Sequence, residues 1–246
     1  KAGFAIQWLE ADQIIKKFGF SKSAGLLSQD GAESDAYKLT HSLLKTCIAK
    51  GLEVYDNTEV IQIRHHKNEV ELITVHKKRI RARKLIIACG YESQQYIPQK
   101  VQELHATYAI ASGPYEQKNF WYKNALIWET ATPYLYLRTT SDNRIIIGGK
   151  DIPFSNPNKR DGLLNQKTKS LERSFAKLFP QIPFKTDFKW TGTFASTKDG
   201  LPYIGSIRQR PNTYFALGFG GNGITFSSIA ANIIKDLLAG KKNNDA

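Results

Sequence analysis

The stretch Gly218-Phe219-Gly220-Gly221-Asn222-Gly223 is the part of the chain best suited to hold a charged ligand. Adjacent glycines let a ligand approach the backbone. The run Tyr214 to Gly218 before them reads as a strand, and Gly223 to Leu238, closed by Gly240, reads as a helix. A helix opening presents unpaired N–H groups and a partial positive charge, which suits an anion. The letters match the GxGxxG of a dinucleotide turn, but such a unit needs a second strand with an acidic residue about 20 positions on. The residues up to Ala246 hold no such strand. An anion cradle and a tightly packed turn both remain open as readings of the glycines.

Two further groupings could do chemistry. Thr197 to Gly205 reads as a turn, with Asp199 and Gly200 in turn roles, leading into a short apolar strand. In Tyr134-Leu135-Tyr136-Leu137-Arg138 the alternation puts both tyrosines and the arginine on one face, either toward a substrate or simply as sheet packing. Arg138, Lys150 and Lys198 are candidate cations for an anionic group. The histidines His41, His65, His66, His76 and His105 are scattered, with no metal or triad spacing. Cys47 and Cys89 are too few for a disulfide scaffold or a cysteine-rich zinc site, so a reducing, cytoplasmic setting is expected.

The elements that must position these residues follow from composition and period. With 246 residues and 41% hydrophobic content, the chain can build a sizeable core. No apolar run is long enough to span a membrane. A net charge of +13 is spread along the sequence, densest at 65–67, 76–84 and 159–189, and reads as solvated lysine-rich faces rather than a nucleic-acid platform. A helix is predicted from Ser34 or Asp35 to Gly51, with Ala36, Leu39, Leu43, Leu44, Cys47 and Ile48 as its apolar stripe. Period-two strands near 53–55, 59–63, 69–75 and 79–82 predict a small antiparallel meander. The run Leu85 to Gly90 predicts a parallel strand buried on both faces. A second antiparallel sheet is expected over 104–150, a basic amphipathic helix over 161–179, and a strand over 186–197.

Taken in order, Leu85 to Gly90, Thr197 to Gly205 and the glycine turn running on through Ile224, Thr225, Phe226 and Ser227 resemble the FAD-dependent D-amino acid oxidase superfamily, particularly its glycine and sarcosine oxidase branch. The resemblance implies an α/β (α+β) fold: part of a Rossmann-like FAD-binding domain plus an antiparallel-sheet substrate domain. It divides the chain into 1–24 (end of a first substrate-domain segment), 25–97 (flavin domain with the meander), 98–197 (substrate domain) and 198–246 (flavin domain again). The family's N-terminal strand, GxGxxG turn and helix, which hold the FAD pyrophosphate, have no counterpart before Leu26, so a fragment without that unit is expected. The methionine-free sequence points the same way.

The resemblance also assigns roles. Gly218, Gly220, Gly221, Asn222, Gly223, Ile224 and Thr225 correspond to a loop facing the pyrimidine end of the flavin. Val60 corresponds to a backbone contact with the adenine, and Cys89 and Gly90 to positions near the phosphates. Tyr136 corresponds to a substrate-side tyrosine. Phe194 stands where relatives place the arginine that grips a substrate carboxylate, and phenylalanine cannot do that. Gly221 replaces a second arginine, Thr225 a lysine beside the flavin, and Gly192 a cysteine that links flavin covalently, so non-covalent FAD is expected. The implied function is oxidation of a C–N bond in a small amine or amino acid by hydride transfer to flavin. The alternatives are flavin-dependent modification of tRNA wobble uridine, which would use the positive charge, and a non-catalytic substrate-domain fragment.

Overall fold

The structure, a computed structural model, describes residues 3–117 and 120–243. In chain order its first half contains strand β1 (Ile6–Glu10), helix α1 (Ala11–Phe18), β2 (Ala24–Ser28), α2 (Ala36–Ala49), β3 (Val60–His65), β4 (Val70–Thr74), β5 (Arg79–Ala82), β6 (Leu85–Ile87) and β7 (Gln102–Ser112). The second half contains β8 (Ile127–Trp128), β9 (Leu135–Thr139), β10 (Ile145–Pro153), α3 (Pro157–Gly162), α4 (Leu164–Leu178), β11 (Thr186–Thr197), β12 (Tyr203–Ser206), β13 (Thr213–Leu217) and α5 (Gly223–Leu238). The chain forms two compact units, one of residues 1–33 and 105–193, the other of 34–104 and 194–246. The divisions fall at 33/34, 104/105 and 193/194.

The first unit is built on a five-stranded sheet in the order β11-β7-β10-β9-β8. One face carries Tyr108, Ile110, Leu137, Ile145 and Ile147, each at most 1% exposed, against Leu171, Phe175 and Phe179 of α4 and its C-terminal cap. Leu164, Thr168, Leu171 and Phe175 recur at helical spacing, which is why α4 presents one continuous stripe to the sheet. The helix expected over 161–179 forms as α4, and a short helix, α3, precedes it. Asn156 caps α3 by accepting from the Lys159 N–H at 2.9 Å, Pro157 takes its first turn, and the chain breaks at Leu163 before α4. The antiparallel pair β1/β2 and α1, which add Leu9, Ile14 and Phe18 to the same core, went unrecognised in the sequence because their period is short and mixed.

The second unit holds two small sheets. In the meander β3-β4-β5, Glu71 is 5% exposed and held by Arg64 at 3.3 Å and Arg81 at 3.4 Å. The expected fourth strand at 53–55 is absent, and Val54 and Tyr55 lie exposed without a pairing partner. In the other sheet β13 runs antiparallel to β12 and parallel to β6. The parallel pairing matches expectation, but β6 is shorter than 85–90 and not buried on both faces: Ile87 is 6% exposed and Ile86 47%. Helix α2 forms where expected, N-capped by Asp35, yet its apolar stripe is not buried; Leu39, Leu43 and Ile48 are exposed. Helix α5 packs Ala230 and Ile234 onto Ala216 of β13.

Phe175 stacks among Phe179 and Phe184 with ring centroids 5.3 and 4.7 Å away and has no exposed surface. Phe175→Ala should therefore cost about 3–5 kcal/mol in urea-induced unfolding. A loss under about 1 kcal/mol would contradict this packing.

Candidate functional site

Between β13 and α5 the chain passes through its glycine turn, and the local backbone explains each glycine. Gly218 has φ +77, and a Cβ there would stand 2.6 Å from Thr197 Cγ2. Gly220 has φ +55, and its N–H donates to the Ala195 carbonyl at 3.0 Å, tying the turn to the end of β11 next to Phe194. Nothing lies within 4 Å of a Cβ built on Gly220 or Gly223. Gly221, Asn222, Ile224 and Thr225 are exposed. Asn222 caps α5 through its backbone only, its carbonyl accepting from Phe226 N–H at 3.0 Å, and no side chain makes a capping hydrogen bond there. The N–H groups of the first turn therefore face outward as an uncovered positive pole, with no acidic residue in that turn to neutralise it. Close packing accounts for Gly218, while open space lies before the Cβ positions of Gly220 and Gly223.

Elsewhere in this unit, Val60 opens β3, an edge strand with half of its backbone groups turned away from β4. A groove of about 460 Å³ runs beside it, lined by Val60, Ile63, Ile87, Tyr96 and Arg210 among others. Cys89 and Gly90 follow β6 at an exposed turn, where Gly90 has φ +62 and nothing near its Cβ position. The Cys89 thiol sits 3.4 Å from the buried Ser93 hydroxyl. Lys198 is exposed beside Asp199, whose carboxylate accepts from the Leu201 N–H at 3.1 Å as an ordinary turn.

Tyr136 and Arg138 belong to the first unit, on the sheet face opposite α4, while Phe194 belongs to the second. Tyr136 lies flat across Gly148, the residue opposite it on β10, where any side chain would collide with its ring. Tyr134 stands beside it, 6.1 Å between ring centroids. Arg138 is 4.0 Å from Glu33, a loose ion pair with both side chains about half exposed. Lys150 has φ +58 and sits in a bulge of β10 that leaves Lys150 and Asp151 together opposite Thr107. Asp151 was not recognised from the sequence; the glycine pair and Lys150 hid a bulge that a strict alternation cannot show. Its side chain shares the face of Tyr136, the Thr107 hydroxyl lying beside both. Burial pushes the Tyr136 and Tyr134 phenols and the Asp151 carboxyl up from their ordinary values. Among the described residues no cluster of histidine, cysteine or acidic side chains could hold a metal, and no helix is long and apolar enough to cross a membrane.

The sequence matches the FAD dependent oxidoreductase (DAO) family over residues 1–237, and the chain belongs to that family. It is 25% identical over 248 residues to gamma-glutamylputrescine oxidoreductase of Escherichia coli, covering 96% of this chain and 55% of that protein. To glycine oxidase of Bacillus subtilis it is 22% identical over 247 residues, covering 98% and 64%. The crystal structure of glycine oxidase from Geobacillus kaustophilus superposes with a TM-score of 0.78 at 21% identity, over 98% of this chain and 65% of that one. The chain thus spans between half and two thirds of the length of these relatives.

The turn yields a direct test of which glycine is structural. Gly218→Ala adds a clash with Thr197 to a left-handed backbone, whereas Gly220→Ala adds only the backbone cost of about 1 kcal/mol. Thermal unfolding should show Gly218→Ala as the more damaging of the two. The reverse order would contradict the assignment.

Proposed function

We propose that the full-length protein is an FAD-dependent oxidoreductase that oxidises the C–N bond of a small amine or amino acid, and that this chain supplies its substrate sheet and the flavin-facing loop. The observation that carries the reading is the uncovered start of α5 behind Gly218 to Gly223. FAD, when bound, supplies the hydride acceptor, and the hydride comes from the carbon beside the amine nitrogen. The first-turn N–H groups of Gly223, Ile224 and Thr225 would face the pyrimidine end, where negative charge grows during reduction. Their dipole is already fixed, so stabilising that charge needs little reorganisation. Val60, with Cys89 and Gly90, would attend the adenine and phosphate portions. On the substrate side Tyr134 and Tyr136 offer a half-buried aromatic wall that would orient the amine and keep water away.

Non-covalent FAD is part of this proposal, because Gly192 offers no nucleophile where sarcosine oxidases carry a linking cysteine. A cytoplasmic setting accords with the unpaired, exposed Cys47 and Cys89. Phe194 lacks any group for a carboxylate, which favours amines over plain amino acids.

The test is anaerobic absorbance of the full-length protein. It should carry a flavin spectrum that a small amine bleaches and that dissolves away as free FAD on unfolding in urea. Flavin left on the unfolded polypeptide would overturn the non-covalent attachment, and absence of flavin would overturn the function. Flavin that no amine or amino acid bleaches, combined with tRNA binding that weakens steeply with salt, would favour the wobble-uridine reading instead.

A further inference from the structure

Asp151 is the one acidic side chain that β10 directs onto the face bearing Tyr134 and Tyr136, and its Oδ1 is buried without a hydrogen-bond partner. A carboxylate oxygen left so is costly, and native structures keep such atoms only where strain, a functional role, a water or a bound group accounts for them. The nearest cations do not complete it. Lys167 of α4 instead gives its ammonium to the Lys150 carbonyl at 2.7 Å, with the Tyr108 ring 5.2 Å away. Arg138 is turned to Glu33 at 4.0 Å, and Arg144 and Arg160 are engaged by Asp142, Asp187 and Asp161. This face therefore carries the half-buried Tyr134 and Tyr136 rings, Gly148 beneath Tyr136 and one carboxylate oxygen without a partner, and the arginine on the same strand, Arg138, already lies beside Glu33.

We infer that Asp151 anchors a positively charged nitrogen of the substrate, which makes the preferred substrates cationic amines, diamines foremost, rather than amino acids held by their carboxylate. This rests on the amine-oxidoreductase reading above and narrows it. The ammonium donates an N–H to Oδ1 beside the tyrosine pair, whose aromatic surface adds a cation–π attraction. Thr107 holds the carboxylate's orientation from β7. The charged groups facing Asp151 are Lys167 of α4 and His105 of β7; both draw its pKa down, yet burial dominates and keeps it raised. An arriving cation supplies the compensation that these two leave incomplete.

The experiment compares full-length wild type and Asp151→Asn, both checked for flavin spectrum, in steady-state oxidation of 1,4-diaminobutane, butylamine, glycine and sarcosine. The inference expects the diamine to be the best substrate and its kcat/KM to fall about 100-fold in the variant, mainly through KM. The same variant should be no less heat-stable than wild type. Because the folded-state pKa of Asp151 lies above its unfolded value, wild type loses this group's contribution as pH rises through that window, so the variant's advantage in Tm should grow from about pH 4 upward. A diamine rate unchanged by Asp151→Asn, or glycine and sarcosine as the best substrates, would overturn the inference while leaving amine oxidation intact. No oxidation of any of the four by flavin-loaded wild type would overturn the parent reading instead. If Asp151→Asn lost its flavin or its fold, the stability expectation would be refuted, and Asp151→Glu, which keeps the charge, would decide the anchor: it should retain a diamine KM within about tenfold.

Discussion

The bulge in β10 is the constraint on which the first unit's chemistry depends. Gly149 at φ +126 and Lys150 at φ +58 insert an extra residue opposite Thr107 and restart the alternation at Ile152. Without it Asp151 would follow the regular register, and the order of apolar residues into the α4 core would slip by one. With it, Ile145, Ile147 and Ile152 all reach the core while Asp151 stays on the opposite face beside Tyr136. Gly148, next to the bulge, is what lets the Tyr136 ring lie down on the sheet. Core formation and site formation are thus settled in one short stretch, Gly148-Gly149-Lys150-Asp151.

The second unit solves a different problem by a comparable device. A parallel strand, β13, must hand the chain to α5 while leaving the helix start uncovered, and the glycines after it do this by curling back to the Ala195 carbonyl instead of capping the helix with a side chain. The result is a fixed positive pole with open backbone in front of it, stiffened by the Gly218 to Thr197 approach. Such a pole favours an acceptor that becomes negative when reduced and asks nothing of acid–base residues.

Much of this was legible in the sequence where the periods were strong. The glycine turn, the strand before it, α5, α2 and the 186–197 strand all followed from apolar period and capping residues. The misses have local causes. Val54 and Tyr55 have strand-like letters but no neighbour to pair with, and Ile86 sits in a run that looks doubly buried yet leaves it half exposed. Asn156-Pro157 started a helix before the apolar stripe began, so the break at Leu163 was invisible. Glu33, far from Arg138 in sequence, lies 4.0 Å from it, a proximity that the residue types do not signal. Asp151 escaped because its importance lies in a backbone irregularity and in the lack of a partner, neither of which has a residue-type signal.

The central claim is that the Gly218 to Thr225 loop faces the flavin of an amine-oxidising enzyme. The most direct measurement is a crystal structure of the full-length protein with FAD bound. The account predicts the pyrimidine edge of the isoalloxazine within about 3 Å of first-turn N–H groups of α5. A flavin ring bound elsewhere, with those N–H groups facing solvent or another segment of the protein, would contradict it.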